Sequence, residues 1–153
     1  METKTKYQIF QIISVVLVAI IGTIFVQMGM AWFNGLSKPS SWVPNYIIPI
    51  MWTIIYICAI ISMFLLIKND KMNKTLVVMF IINGVLNILW SLVFFTLHWI
   101  LIGEVVLILN LIAGWLLLTE MHEVNKLTSY ILVVYPVWLM IALMLNTALW
   151  ILN

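Results

Sequence analysis

The chain has 153 residues, of which 65% are hydrophobic and 8% are charged, with a formal net charge of +2 at pH 7. Soluble domains average about 45–50% apolar and about 25% charged residues, so a soluble globular enzyme, a disordered chain and a nucleic-acid binder are excluded. All the positive charge comes from lysine, and without arginine the chain has no bidentate fork for phosphate. The single Cys58 excludes an intramolecular disulfide.

Charged residues fall into narrow bands separated by long uncharged runs. A helix needs about 20 residues to cross about 30 Å of hydrocarbon. Four of the five runs meet this length easily. The remaining run, which is fourth in chain order, does so only if Leu101, Ile102 and the aliphatic stem of Glu104 are included, with the carboxylate snorkelling outward. Runs that are apolar on every side favour helices over barrel strands. We predict an all-α, polytopic membrane protein with a single domain over residues 1–153, a bundle of five transmembrane helices spanning approximately 8–31, 45–67, 75–97, 101–120 and 129–151.

The lysines predict how the chain is oriented. Six of them fall on the side that carries the N-terminus, and only Lys38 falls on the other. The positive-inside rule therefore predicts a cytoplasmic N-terminus, in what we expect to be a bacterial cell membrane. The first apolar run is longer than the roughly 7–15 residues of a signal peptide, so we retain it as a span.

Two connections are informative. Residues 34–45 carry Gly35, Pro39 and Pro44, which bar a continuing helix and predict an ordered external loop. Residues 98–103 provide barely a turn, so the third and fourth helices should be antiparallel neighbours.

A conventional active site is missing from the pattern. His98 and His122 are predicted at opposite membrane faces, so they cannot share a metal ion. The acids that flank the fourth helix, Glu104, Glu120 and Glu123, form no pair at the membrane centre. We therefore expect no metal and no cofactor, and binding is favoured over acid–base catalysis.

Uncharged polar side chains inside the spans are more informative. A primary amide in hydrocarbon is unfavourable unless it is hydrogen-bonded, so these groups should point into the bundle. They either join helices or orient a ligand, and both interpretations stay open. The residues are Gln27, Asn83, Asn87, Asn110 and Asn146.

Helical spacing groups amides with aromatic rings. On the second helix Trp52 and Tyr56 are one turn apart. Amides set among large aromatic side chains are typical of an enclosed, mostly apolar ligand site. The other two stripes are Asn83, Asn87, Trp90, Ser91 and Phe94 on the third helix, and Trp138, Ala142 and Asn146 on the fifth.

The tryptophans divide by depth. An interfacial belt accounts for those near span ends, which are Trp32, Trp42, Trp99 and Trp150. Trp52, Trp90, Trp115 and Trp138 lie deeper, and Trp115 has little polar company, so packing or lipid contact is its expected role.

These segments resemble the translocator protein family, also called tryptophan-rich sensory proteins (TspO/MBR). WFNGLSKPS at 32–40 resembles W-x-x-x-L-x-K-P, and NYIIPIMWTIIY at 45–56 resembles a segment that ends in W-x-x-x-Y. LNILWSLVFF at 86–95 is similar to L-N-x-x-W-S-x-x-F-F, and 135–153 resembles a closing helix with W-x-x-x-A-x-x-L-N. The loop departs from the family, because Trp42 is displaced by one position and one proline is missing.

The resemblance implies a five-helix bundle, often a homodimer, that binds porphyrins and similar hydrophobic small molecules from the lipid bilayer. Carried over by position, the ligand-binding residues are Trp52, Tyr56, Asn87, Trp90, Trp138, Ala142 and Asn146. Some members are associated with light-dependent porphyrin breakdown. If that reaction occurs here, Trp52 and Trp138 are the catalytic candidates, because electron-rich indoles can exchange electrons with a photoexcited macrocycle.

Three hypotheses follow for this chain. The first is a tetrapyrrole-binding membrane protein with a sensing or transport role. The second is an enzyme that degrades porphyrin under light. The third is a structural or regulatory membrane protein whose amides only hold helices together.

Overall fold

The computed structural model describes residues 2–39 and 43–153, apart from the side chains at positions 2–4 and 7. The protein is 87% helical, and the described residues contain no strand. In chain order the helices are α1 (Glu2–Gly35), α2 (Ile47–Lys68), α3 (Lys74–Ser91), α4 (Ile100–Val124), α5 (Lys126–Leu132) and α6 (Val134–Leu152), with a π-helical turn at Leu92–Thr96 that continues α3.

Among the described residues, five segments are long and apolar enough to cross a membrane. These are α1 from Gln8 onward, α2, α3 with its π turn, α4, and α5 together with α6. The predicted all-α fold with five spanning helices is therefore confirmed, and the protein is an integral membrane protein. The fourth helix extends to Val124, four residues beyond the predicted end of its span.

Side chains cap several helix ends. Asn73 Oδ1 accepts from the Leu76 N–H at 2.8 Å at the start of α3, and Asn125 Oδ1 accepts from the Leu127 N–H at 3.2 Å at the start of α5. Beyond the end of α1, Lys38 Nζ donates to the Phe33 carbonyl at 2.7 Å and lies 4.6 Å from the centre of that ring. Burial lowers the pKa of the Lys38 amine.

The π turn changes which side chains face the bundle. The Leu97 N–H bonds the Leu92 carbonyl five residues earlier, at 3.0 Å, which widens the helix relative to the α form. Three consecutive residues, Val93, Phe94 and Phe95, are consequently buried together. A regular α-helix would turn one of them outward, because successive side chains differ by about 100°.

The last span is broken once. α5 ends at Leu132 and α6 begins at Val134, although the sequence predicts an uninterrupted helix. Pro136 has no N–H to bond the Leu132 carbonyl, which explains a break at this position. The Val137 N–H reaches the Val133 carbonyl only at 3.4 Å.

α1 packs along α2 and α3, α3 lies beside α4, and α4 lies beside α6. The predicted antiparallel neighbours α3 and α4 are thus confirmed, and residues 97–99 alone separate the π turn from α4. α1 approaches the π turn most closely at Gly29, where a Cβ atom would lie 1.8 Å from the Phe95 carbonyl oxygen. Glycine permits such backbone contact between membrane helices.

Candidate functional site

A buried polar cluster joins α3, α4 and α6 near the middle of the bundle. Asn87 Nδ2 donates to the Tyr135 hydroxyl at 2.9 Å, and Asn110 Nδ2 donates to Asn87 Oδ1 at 3.2 Å. The Tyr135 hydroxyl lies 2.7 Å from Asn110 Oδ1 and 3.1 Å from Asn83 Oδ1, so its single proton donates to one of these at a time. The four residues form what we call the asparagine–tyrosine cluster.

This cluster decides the role of three predicted amides. Asn83, Asn87 and Asn110 are buried, so the expectation that they point into the bundle is confirmed. Their side-chain bonds are made to other helices and to helix carbonyls, which supports the interpretation that amides hold helices together. Gln27 differs, because it is an exposed residue that borders a cavity.

A cavity of about 360 Å³ lies between α1, α2 and α3, near the end that carries the first loop. We call it the loop-side cavity. Of the predicted ligand-binding residues, Trp52, Tyr56, Asn87 and Trp90 line it. Exposed polar residues line its mouth between α1 and α2, which are Thr23, Gln27, Asn34, Asn45 and Thr53.

A smaller space of about 30 Å³ lies beside the first, toward α6. We call it the tryptophan cavity. It is lined by the other predicted residues, Trp138, Ala142 and Asn146, and again by Trp52 and Trp90. The structure therefore distributes the predicted site over two adjoining cavities, with the Trp52 and Trp90 indoles as their shared wall.

Aromatic rings form this shared wall. The Trp52 and Trp90 ring centres are 6.0 Å apart, and Trp90 stacks on Phe94 at 5.7 Å with 16° between the planes. Phe95 meets the Trp90 ring edge-on at 5.6 Å. Such contacts are favourable beyond the burial of area, and they hold the Trp90 indole against the tryptophan cavity.

Three polar atoms at the tryptophan cavity are buried without a hydrogen-bond partner among the described residues. They are the indole nitrogens of Trp90 and Trp138 and the side-chain oxygen of Asn146. Leaving such groups unpaired is unfavourable by about 1–3 kcal/mol each, so this grouping calls for an explanation. The space can hold one water molecule or one small polar group, and the two unpaired donors and the one unpaired acceptor belong to residues of its lining.

Glu104 explains why the Asn146 oxygen is the unpaired atom. The sequence predicts that the Glu104 carboxylate snorkels outward, and this prediction is wrong. The carboxylate is half-buried against α6, where Oε2 accepts from Asn146 Nδ2 at 2.6 Å and Oε1 accepts from the Thr147 hydroxyl. Asn146 Nδ2 also lies 3.2 Å from the Ile100 carbonyl. With its nitrogen used in this way, Asn146 has only Oδ1 to offer the cavity.

The remaining tryptophans lie away from the two cavities. Trp99, Trp115 and Trp150 are 40–53% exposed on the apolar outer surface, which agrees with the predicted belt and lipid-contact roles. Trp32 is half-buried and stacks on His98 at 4.3 Å, so it packs against the bundle as well as lying near a span end. Trp42 lies outside the described residues.

Sequence reasoning missed two residues that matter here. Tyr135 extends the Trp138–Ala142–Asn146 stripe by one turn, so the same helical period would have found it. Glu104 had no comparable signal, because charge alone indicated the membrane surface and its partners on α6 are 42 and 43 residues away.

The fold and the two cavities define an integral membrane protein with an aromatic-lined space inside a five-span bundle. Residues 11–151 match the TspO/MBR family, and the chain belongs to that family. Protein CrtK of Rhodobacter capsulatus is 31% identical over 127 residues, which cover 80% of this chain and 79% of that protein. Tryptophan-rich protein TspO of Archaeoglobus fulgidus is 31% identical over 144 residues, covering 93% and 94%. The protein of the same name from Chlorobaculum tepidum is 32% identical over 130 residues, covering 82% of each.

Proposed function

We propose that the protein binds porphyrins and similar flat, hydrophobic molecules inside its helix bundle, and that its role is sensing or transport of these molecules. The observation that carries the proposal is the set of unpaired polar atoms of Trp90, Trp138 and Asn146 around the tryptophan cavity. A ligand that presents both an acceptor and an N–H or O–H donor would satisfy them.

The size and walls of the loop-side cavity support the same proposal. Its volume of about 360 Å³ falls within the range of roughly 300–1,000 Å³ that is common for small-molecule sites. The mouth between α1 and α2 provides a route of entry. A flat ring that pushed the Trp52 and Trp90 side chains aside would occupy both cavities at once, because these two indoles line both of them.

Titration with protoporphyrin, followed by quenching of tryptophan fluorescence, tests the proposal. The informative variant combines Trp138→Phe with Asn146→Leu, which removes one unpaired donor and the unpaired acceptor. We expect its affinity to fall by roughly tenfold or more, since each lost bond contributes about 0.5–1.5 kcal/mol. Trp115→Phe is the matched control, because it makes the same aromatic change on the outer surface. Equal affinity of the double variant and the control would contradict the proposal.

Light-dependent porphyrin degradation is the second candidate. It is favoured by the position of the Trp52 and Trp138 indoles, which both line the tryptophan cavity. The test is illumination of the complex with chromatographic detection of a new product. If the protein catalyses this degradation, Trp52→Phe or Trp138→Phe should slow product formation at saturating porphyrin. Equal rates with boiled protein would reject it.

We also propose that the N-terminus faces the cytoplasm of a bacterial cell. The support is the placement of Lys68, Lys71, Lys74 and Lys126 in or beside the two connections at the N-terminal end of the bundle. Reporter fusions at either terminus, active on only one side of the membrane, test the orientation.

A further inference from the structure

Another cavity, of about 320 Å³, lies at the opposite end of α1 from the loop that joins α1 to α2. We call it the N-terminal cavity. Phe10, Val15, Met63 and Phe80 contribute to its walls, and its described lining includes no tryptophan. Its lining thus lacks the indoles of the site proposed for porphyrins, although Tyr56 and Asn87 line both this cavity and the loop-side cavity.

The lining of the N-terminal cavity extends along the helices. Along α1 its lining runs from Phe10 to Val18, and along α3 it runs from Val77 to Ile88. With a rise of 1.5 Å per residue, these stretches are about 12 Å and roughly 16 Å long. A volume of about 320 Å³ spread over this length leaves room for one extended hydrocarbon chain, parallel to the helices.

One end of the cavity carries an unsatisfied acceptor. Gln11 Oε1 is buried and has no hydrogen-bond partner among the described residues. Gln11 follows the start of the α1 span, Gln8, by three residues, so this acceptor lies near a membrane surface. At the deep end Asn83, Asn87 and Tyr135 bond to one another in the asparagine–tyrosine cluster.

The cavity borders the lipid phase. Leu17, Ile81 and Val85 line it and are also 50–59% exposed, so the gap between α1 and α3 faces the hydrocarbon. α1 presents most of its surface outward, with 11% of its most apolar stretch buried, compared with 28–39% for the other spans. A molecule dissolved in the bilayer can therefore enter sideways.

We propose that the N-terminal cavity binds a single-chain lipid that carries a hydroxyl head group. The hydroxyl donates to Gln11 Oε1 near the membrane surface, and the chain lies between α1 and α3 with its end near the asparagine–tyrosine cluster. This matches the orientation that such a lipid already has in the bilayer. Gln11, Ala59 and Met63 line the N-terminal cavity and do not line the loop-side cavity, so variants at these positions separate this site from the porphyrin site.

Photolabelling of the protein in nanodiscs tests the proposal. The probe is dodecanol with a photoreactive diazirine near the chain end, and labelled residues are located by mass spectrometry. We expect labelling to concentrate on residues 55–63, 77–88 and 132–135, and unlabelled dodecanol to compete roughly five- to tenfold better than dodecane, because only the alcohol bonds Gln11. Labelling spread evenly over the lipid-facing surface would overturn the proposal.

Two variants separate the head group from the chain. Gln11→Leu should abolish the advantage of dodecanol over dodecane while labelling remains. Ala59→Leu places a larger side chain in the cavity and should reduce labelling severalfold, whereas Ala31→Leu adds the same atoms at an exposed position of α1 and should leave it unchanged. Equal labelling of the two alanine variants would refute the site. Measuring the thermal unfolding midpoint of each variant checks that both are folded. The labelling assay contains no porphyrin, so its failure is distinguishable from failure of the porphyrin titration.

Discussion

Asn146 on α6 donates to the Glu104 carboxylate on α4, with 2.6 Å between Nδ2 and Oε2. The contact does more than join two helices. Because the Asn146 nitrogen is used in this contact, its side-chain oxygen is the buried atom left without a partner among the described residues.

Glu104→Leu should weaken protoporphyrin binding by roughly five- to tenfold, because the Asn146 amide is no longer held in one orientation. Glu104→Gln should retain most of the affinity, since its amide oxygen still accepts from Asn146 Nδ2. Fluorescence titration measures both, and Glu123→Leu serves as a control at an exposed acid of the same helix. Wild-type affinity in Glu104→Leu would show that Glu104 does not orient Asn146 for the ligand.

Tyr135→Phe should lower the free energy of unfolding by about 1–3 kcal/mol. The change removes the hydroxyl that accepts from Asn87 Nδ2 and lies within bonding distance of Asn110 Oδ1, so one buried Asn87 N–H loses its acceptor and the Asn110 oxygen loses its donor. Tyr130→Phe removes the same atom from a residue that is 63% exposed and should change stability little. Unfolding in mixed detergent micelles compares the two, and equal stabilities would mean that the cluster does not stabilise the bundle.

Gly29→Ala should destabilise the protein by about 1–3 kcal/mol or more. The added Cβ would lie 1.8 Å from the Phe95 carbonyl oxygen, so α1 and the π turn must separate. Gly35→Ala is the matched control, because nothing lies within 4 Å of a Cβ at that position. Thermal unfolding in the same detergent distinguishes them. A Gly29→Ala protein as stable as wild type would contradict the close approach of the two segments.

Asn153→Ala should make the backbone around Ser37, just after the end of α1, more mobile. Asn153 Oδ1 accepts from the Ser37 N–H at 2.9 Å, and its Nδ2 donates to the Ser37 carbonyl at 3.1 Å. Hydrogen exchange at the Ser37 amide should become roughly five- to tenfold faster when both bonds are lost. Asn153→Asp keeps the acceptor and loses the donor, so its exchange rate should be intermediate. Unchanged exchange in both variants would count against this clamp.

The number of spans and the buried face of α3 follow from the sequence alone. Apolar length and charge spacing are properties of the chain in one dimension, and they specify which segments enter the bilayer. The 3.6-residue period then places Asn83, Asn87 and Trp90 on one face, and all three are buried. The family resemblance is likewise a property of the sequence, and the match over residues 11–151 confirms it.

Only the tertiary structure decides how these faces meet. Asn87 and Tyr135 are 48 residues apart, and Glu104 and Asn146 are 42 apart, so no local period relates them. The π turn also brings Phe95 inward with Phe94, which α-helical counting does not anticipate. The predicted ligand residues therefore surround two cavities with a shared indole wall. The physical reason is that cavities and hydrogen-bond partners depend on distances between helices, whereas the sequence pattern describes each helix by itself.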